Sequence, residues 1–263
     1  MNETAFFTTG DGCRIAYRFD GAADRPLLML SNSIGTTLAM WAEQIPALSE
    51  HFHILRYDSR GHGASDAPPG PYSLARLGRD ALELLDALRR DQAYFCGLSL
   101  GGMVGQWLGV HAPERVTKLV LANTSSWLGP AGQWDARIAA LRPPVDMAPV
   151  AEGFLNNWFS SAYRGGHAAT VARFRAILLA TPPQGLAGCF AAVRDMDMRR
   201  TAALIQAPTL VIAGRDDTVT ALSHGELLAA TVPGAALQVL PVVHLSNVER
   251  PDAFLAALLG FLR

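Results

Sequence analysis

The sequence predicts an α/β fold in which a mostly parallel, eight-stranded sheet is flanked by helices and carries a helical insertion. Three observations predict it: short apolar runs recur along the chain, helical patterns separate them, and one long segment contains helical patterns only. Strands that alternate with helices are typical of a doubly wound sheet. The 263 residues are 50% hydrophobic and 17% charged, a composition that supports one large core.

Six of the apolar runs are continuous and do not alternate with polar residues, as expected for strands that are buried on both faces of a parallel sheet. Two further runs flank the turn Gly10-Asp11-Gly12 and predict a hairpin at the sheet edge. The predicted strands are Ala5–Thr9, Arg14–Phe19, Leu27–Ser31, His53–Tyr57, Tyr94–Cys96, Leu119–Ala122, Thr209–Ala213 and Leu237–Leu240.

Helical patterns lie between the predicted strands. The clearest one runs from residue 74 to residue 88, where apolar residues are spaced three and four apart and so line one helix face. From residue 128 to residue 203 no strand run occurs, and prolines divide helical material. We therefore predict a core domain of residues 1–127 and 204–263, with residues 128–203 inserted as a helical cap over the carboxyl edge of the sheet.

Charge and cysteine usage exclude several classes of partner. The chain has 22 basic and 23 acidic residues and a net charge of −1, so neither nucleic acid nor an anionic membrane is an expected partner. The first twelve residues lack a basic region and a long apolar run, so we expect no signal peptide. The three scattered cysteines, Cys13, Cys96 and Cys189, are expected to be reduced thiols of a cytoplasmic protein.

Cofactor and membrane signatures are also missing from the sequence. No stretch approaches the roughly 20 consecutive apolar residues of a membrane span. No metal-ligand spacing, phosphate-binding glycine loop or flavin motif occurs. We therefore expect no membrane partner, no metal and no cofactor.

The G-x-S-x-G motif at residues 97–101 is the main chemical signal. It follows a predicted strand and precedes a helical pattern at residues 102–111, so it predicts a sharp turn that holds Ser99 above the sheet. The two glycines keep Cβ atoms out of this turn, and the hydroxyl would lie at the positive end of a helix. An ordinary turn is the alternative, but the position between a buried strand and a helix favours a nucleophile.

A serine hydroxyl is a poor nucleophile until a base takes its proton. His244 follows the last predicted strand, and Asp216 and Asp217 follow the strand before it. The chain order Ser, Asp, His is the order expected for this elbow, and we expect the three loops to meet at one sheet edge. Asp217 is favoured over Asp216 because the Gly-x-x-Asp spacing carries its carboxylate past the turn. A packing or capping role is the alternative for His244.

An oxyanion hole needs two backbone N–H groups near the attacked carbonyl. Leu100 follows the nucleophile and is expected to supply one of them. The second is expected from Ile34, in the loop after the third strand. Asn32-Ser33 can also be an ordinary turn, which would leave the role of the Ile34 backbone unchanged.

These motifs resemble the α/β-hydrolase superfamily over nearly the whole chain and, more narrowly, the 3-oxoadipate enol-lactonase family. The narrower resemblance depends on LSNSIGT at residues 30–36, because many relatives have His-Gly where this chain has Asn32-Ser33. One departure is Ala221, where relatives usually have proline. The remaining matches are DSRGHG at 58–63, CGLSLGGM at 96–103, VIAG at 211–214 leading to Asp217, and the His244 loop.

The resemblance implies a serine hydrolase without a cofactor. By its pattern Ser99, Asp217 and His244 would be catalytic, and Ile34 and Leu100 would donate to the oxyanion. The implied substrate is an enol-lactone with an acetate side chain, opened through an acyl-enzyme to 3-oxoadipate in bacterial aromatic catabolism. The expected partner is therefore a small anionic lactone, and the sequence leaves a homo-oligomer open.

The predicted cap is more basic than the rest of the chain. Residues 128–203 contain eight arginines and five acidic residues, a charge of +3 in a chain of −1. This asymmetry would steer an anionic substrate beneath the cap, although any single arginine can also lie on a solvated helix face. The candidate pocket walls are Trp134, Arg137 and Trp158, and a tryptophan in such a segment can instead pack in a core.

Two other classes of function stay open. A carboxylesterase or a cofactor-free perhydrolase would use the same triad. Dehalogenases and epoxide hydrolases of this fold are disfavoured because their nucleophile is aspartate. A non-catalytic binding protein is the remaining alternative, because a fold does not determine a function. The complete set of serine, aspartate and histidine argues against it.

Overall fold

The computed structural model describes residues 3–263 and confirms the predicted α/β fold. Met1 and Asn2, which begin the segment in which we expect no signal peptide, lie outside the described residues. The strands are β1 (Ala5–Thr8), β2 (Arg14–Asp20), β3 (Leu27–Ser31), β4 (His53–Tyr57), β5 (Ala93–Leu98), β6 (Val116–Ala122), β7 (Thr209–Gly214) and β8 (Ala236–Leu240).

Helices connect the strands. They are α1 (Ile45–Leu48), α2 (Leu74–Ala87), α3 (Leu100–His111), α4 (Ala131–Ala140), α5 (Met147–Trp158), α6 (Ser161–Gly166), α7 (Ala168–Ala180), α8 (Pro183–Asp195), α9 (Leu222–Thr231), α10 (Ser246–Glu249) and α11 (Pro251–Leu262). Short 3₁₀ helices occur at Leu38–Trp41, Pro113–Arg115 and Thr201–Leu204.

The strands form one sheet in the order β1-β2-β4-β3-β5-β6-β7-β8. β1 pairs antiparallel with β2, and β2 pairs antiparallel with β4, so the predicted hairpin lies at the sheet edge. All pairs from β4 to β8 are parallel. β4 lies on one side of β3, and β6 lies on the opposite side of β5, so the order of the strands changes direction between β3 and β5. The loops after β3 and β5 therefore flank a crevice of the kind in which doubly wound sheets bind ligands.

Both faces of the central strands are buried. In β5, Phe95 packs in the core on one face and Cys96 in the core on the other, and Met29 and Leu30 of β3 divide in the same way. Their continuous apolar sequence follows from this double burial. β8 is an exception, because it is an edge strand and residues 236–238 are exposed. The prediction of burial on both faces is wrong for this strand.

Between β6 and β7 the described chain forms the five α-helices α4 to α8, the short 3₁₀ helix Thr201–Leu204 and no strand. α4 packs on α8, and α5 packs on α7. The boundaries at residues 128 and 203 stay a prediction. No single helix within residues 3–263 is long and apolar enough to cross a membrane; α7 and α8 reach that length and composition only as a pair, which is bent by 94°.

Candidate active site

Ser99 lies in a strained turn between β5 and α3. Its φ of 58° and ψ of −115° are in a region that residues with a side chain rarely adopt. A Cβ on Gly97 would lie 2.1 Å from the carbonyl oxygen of Gly101, and a Cβ on Gly101 would lie 2.2 Å from the carbonyl oxygen of Ser31. Both glycines are therefore required by close backbone contacts. Helix α3 begins at Leu100, two residues earlier than predicted.

His244 and Asp217 are joined by a hydrogen bond of 2.8 Å between Nδ1 and Oδ2. Both side chains are almost completely buried. Because the carboxylate only accepts, Nδ1 carries the proton and Nε2 keeps a lone pair that can take a proton from a hydroxyl. Asp216 is exposed. The structure thus pairs His244 with Asp217, the acid that the spacing favours.

The Asp217 carboxylate is held ionised by its surroundings. Oδ1 accepts hydrogen bonds from the backbone N–H groups of Val219 and Thr220, and Oδ2 accepts them from Thr220 Oγ1 and Asn123 Nδ2, all within 3.0 Å. Burial by itself would raise the pKa of Asp217, but His244 and these donors together lower it to about 2. The carboxylate can therefore stabilise an imidazolium at neutral pH.

Asn123 connects the loops that carry the acid and the histidine, and the sequence analysis missed it. Besides Asp217, its Nδ2 donates to the carbonyl of Val243 at 3.1 Å, and its Oδ1 accepts from Ser246 Oγ. It lies directly after β6, which separates β5 from β7, so the loops of the predicted triad do not follow three adjacent strands. The sequence signal that could have identified Asn123 is its position as a polar residue directly after a buried strand.

The loop after β3 is also held by buried side chains. Asn32 donates to the carbonyl of Tyr57 at 2.7 Å and accepts from Trp41 Nε1 at 2.9 Å. Nε2 of His62 accepts from the backbone N–H of Gly35 at 2.8 Å, while Nδ1 lies 3.2 Å from the carbonyl of Arg60. Burial lowers the pKa of His62 to about 4, so this ring is neutral and can accept.

Two backbone N–H groups of residues that line the serine cavity have no protein acceptor in the described chain. Within residues 3–263 no acceptor forms a hydrogen bond with the N–H of Ile34 or of Leu100. The adjacent N–H groups of Gly35 and Gly101 both donate hydrogen bonds to protein acceptors. Ile34 and Leu100 line the same cavity as Ser99 and His244. This arrangement can hold the oxyanion of a tetrahedral intermediate.

The cavity above Ser99, which we call the inner cavity, is a small space lined by fourteen residues. Trp134, Arg137 and Trp158 all line it. The Arg137 guanidinium lies 4.8 Å from the Trp134 ring centroid, and Trp158 is fully buried. Sequence reasoning missed seven further lining residues, which are Met103, Leu128, Phe154, Asn157, Phe190, Val193 and Val219.

Arg137 is the one arginine of residues 128–203 that lines the inner cavity. Several others are neutralised at the surface: Arg175 pairs with Glu152, and Arg194 pairs with Asp135 and Asp195. Within the described residues no carboxylate lies in ion-pair distance of Arg137. Among the arginines of this segment that form no ion pair in the described chain, Arg137 is the one that lines the inner cavity.

The serine hydroxyl and the His244 ring line the same cavity, but no hydrogen bond joins them in the described chain. Such bonds are often long without substrate and shorten when it binds. Among residues 3–263 no group of three or more His, Cys, Asp and Glu side chains can hold a metal ion. The cysteines are free and buried, and burial raises the pKa of Cys96.

Comparisons with known proteins identify the family to which the chain belongs. The family described as alpha/beta hydrolase fold matches residues 26–251. The chain is 39% identical to 3-oxoadipate enol-lactonase 2 of Acinetobacter baylyi, over 94% of this chain and 92% of that protein. It is 37% identical to the crystal structure of the enol-lactonase from Burkholderia xenovorans LB400, with a TM-score of 0.95, covering 98% of this chain and 99% of that one.

A third protein is more similar in sequence. The crystal structure of a hydrolase from Pseudomonas aeruginosa PA01 is 63% identical with a TM-score of 0.97, covering 99% of this chain and 98% of that one. The family match spans well over half of the chain, and the curated relative is similar over nearly its full length. This chain is therefore an enzyme of the hydrolase class and belongs to the α/β-hydrolase fold family.

Proposed function

We propose that the protein is a serine hydrolase that opens the ring of 3-oxoadipate enol-lactone to give 3-oxoadipate. The observation that carries the proposal is an elbow serine, a buried His244–Asp217 pair and a free cation, Arg137, around one small cavity. The enol-lactonases among the similar proteins support this choice of substrate. The reaction would serve bacterial aromatic catabolism through the β-ketoadipate pathway.

The chemistry follows from the roles that the side chains can take. His244 Nε2 removes the proton of Ser99 as Oγ attacks the lactone carbonyl, and the oxyanion accepts from the N–H groups of Ile34 and Leu100. Collapse breaks the ring C–O bond, and His244 returns the proton to the departing enol oxygen. The enol then becomes a ketone, so reclosure is unfavourable.

The second half of the reaction releases the product. Ring opening leaves the whole molecule attached to Ser99 as an acyl-enzyme. His244 removes a proton from water, the hydroxide attacks the acyl carbon, and the serine oxygen leaves with the proton from His244. Asp217 stays ionised throughout and stabilises the imidazolium in both halves.

Arg137 gives the site its preference for an anion. Among the lining residues its guanidinium is the only permanently charged side chain, and apolar and aromatic groups form most of the remaining wall. We assign it the acetate carboxylate of the substrate, with Trp134 and Trp158 packed against the lactone ring. Residues 128–203 would then act as the cap that closes the site over residues 1–127 and 204–263.

The test compares substrates in the wild-type enzyme and in Ser99→Ala. Hydrolysis of the lactone is followed by loss of its ultraviolet absorbance, beside a neutral p-nitrophenyl ester. We expect fast lactone opening, weak ester cleavage and at least about a 10³-fold loss in the variant. Circular dichroism of Ser99→Ala controls for folding.

Two results would contradict the proposal in different ways. Preference for the neutral ester would retain the serine mechanism and point to a carboxylesterase or a perhydrolase. Full activity in folded Ser99→Ala would show that Ser99 is not the nucleophile and would contradict the proposed mechanism.

A further inference from the structure

A second depression lies directly outside the inner cavity, between α4 and α5. We call it the outer cleft. It has about 670 Å³ of empty space. Its walls include Arg137 and Ala140 of α4, Leu141 directly after α4, and Val150, Gly153 and Asn157 of α5.

The outer cleft and the inner cavity share four lining residues. Arg137, Phe154, Asn157 and Phe190 line both of them and form a neck between the two spaces. The aromatic rings of this neck pack tightly, since the Phe154 ring is stacked on Phe190 with centroids 6.1 Å apart and lies 5.0 Å from Trp158. The neck therefore has an apolar side, formed by Phe154 and Phe190, and a polar side, formed by Arg137 and Asn157.

The exposure of the lining residues shows where the inner cavity meets solvent. Of its fourteen lining residues only Arg137 and Asn157 are exposed; the other twelve are buried or half-buried. Both exposed residues belong to the neck. The inner cavity is thus closed towards the sheet and towards α8, and it opens between α4 and α5.

The charge of the neck suits a small anion. No carboxylate pairs with Arg137 in the described chain, and the Asn157 amide has no hydrogen-bond partner there either. A fixed cation at the mouth of a narrow, low-dielectric passage raises the local concentration of anions and their rate of entry.

We propose that the outer cleft is the route by which a small carboxylate substrate reaches Ser99 and its product leaves, with Arg137 and Asn157 at the neck as the first groups that bind the carboxylate. The inference rests on the proposed function, because it takes the anion from that reaction. It adds the passage and assigns Asn157 as a specificity-determining residue.

Gly153 allows the route to be blocked. It lies on the wall of the outer cleft, one helical turn from Asn157 and on the same face of α5. A Cβ at this position would meet nothing within 4 Å. A Cβ can therefore be added at position 153 without a clash, and Gly153→Trp places a large side chain on the wall of the outer cleft.

Gly132 provides the matched control. It lies in α4, a Cβ there would also meet nothing within 4 Å, and it does not line the inner cavity or the outer cleft. Gly132→Trp makes the same chemical change in the same group of helices. Melting temperature and circular dichroism of both variants verify folding.

Two readouts are measured: kcat/KM for the enol-lactone, and the second-order rate of labelling of Ser99 by a fluorophosphonate. We expect Gly153→Trp to lower both by about tenfold or more, because entry becomes limiting, and Gly132→Trp to stay within about twofold of the wild type. Ala140→Trp, on the opposite wall, should act like Gly153→Trp and serves if that variant does not fold.

The outcomes separate the route from the function. Wild-type labelling and turnover in a folded Gly153→Trp and Ala140→Trp would overturn the route. If the wild-type enzyme is labelled but does not hydrolyse the lactone, the proposed substrate is wrong. The labelling rates of the variants would then still test the route. A wild-type enzyme that does neither would overturn both.

Asn157→Leu tests the assigned residue separately. It keeps the size of the side chain and removes the amide donor. We expect KM for the lactone to rise about fivefold with kcat and the neutral ester unaffected, the size expected for loss of one ordinary hydrogen bond at a solvent-exposed side chain. An unchanged KM would leave the passage intact and overturn the role of Asn157.

Discussion

The loops that hold Asp217 and His244 differ in construction from the helices α4 and α5 above them. In the loops, the carboxylate is buried and accepts five hydrogen bonds, and Asn123 connects it to the histidine loop. In the helices, Arg137 and Asn157 are exposed, and their side chains have no hydrogen-bond partner within residues 3–263.

This difference separates two tasks. Proton transfer needs one fixed geometry, which a saturated and buried hydrogen-bond network provides. Capture of an anion from solution needs a cationic side chain that is not already paired with a carboxylate of the protein. Changes in the loops should therefore lower kcat strongly, and changes in the helices should alter KM and substrate choice more weakly.

The largest expected effect is that of Asp217→Asn. An amide facing Nδ1 favours the tautomer in which Nε2 is protonated and cannot accept from Ser99, so kcat should fall by about 10⁴-fold. Asp216→Asn, the exposed neighbour in the same loop, is the control and should retain nearly all activity. Steady-state kinetics decide between them, and equal losses would mean that the acid has been misassigned.

Asn123→Gly should have the next largest effect. Asn123 has a φ of 42°, so glycine removes its side chain without adding backbone strain. Losing the bonds to Asp217 and Val243 should lower kcat about tenfold to thirtyfold with little change in KM, the pattern of a positioning residue. Arg89→Gly, at a remote exposed residue with a φ of 53°, is the control. A rise in KM alone would contradict this role.

Arg137→Leu tests the other region. Loss of the guanidinium should raise KM for the anionic lactone by about tenfold, while kcat/KM for a neutral ester should stay the same. Arg142→Leu removes the same charge from an exposed residue that does not line the inner cavity. An equal effect of both variants would show a general influence of charge and no specific carboxylate contact.

The smallest expected effect concerns pH and the loop that carries Ile34. Burial lowers the pKa of His62 to about 4, below its ordinary value of about 6.5, so the unfolded chain binds the proton more tightly. His62 therefore contributes a loss of stability as pH falls, amounting to about 1 kcal/mol between pH 7 and pH 5.5. Urea unfolding at the two pH values should show a smaller loss in the neutral variant His62→Gln. Identical pH dependence would exclude this contribution.

Most of the fold was predictable because its determinants are local. Six continuous apolar runs and two runs that flank a glycine turn identified all eight strands, with ends that differ by at most three residues. The edge position of β8 was missed, because Leu237 and Val239 are apolar although the strand pairs only with β7. An apolar run indicates a β-strand but does not indicate whether the strand pairs with one neighbouring strand or with two.

The candidate site was predictable to the extent that it follows from strand ends. Ser99, His244 and Asp217 each follow a strand, and parallel strands bring their carboxyl ends to one edge. Asn123 also follows a strand, but nothing in the sequence links it to Asp217. Phe154 and Phe190 reach the cavity only because of how α5 and α8 pack, which helical periodicity does not specify.

The sequence by itself determined the alternation of strands and helices, the elbow at Ser99 and the order of the three polar residues. These depend on backbone preferences and hydrophobic period within a few residues of each position. The tertiary structure decided that Asn123 stabilises the acid, that Arg137 alone among the eight arginines of residues 128–203 lines the inner cavity, and that this cavity opens between α4 and α5. These features depend on contacts between segments that are far apart in the chain, where packing and burial select the partner.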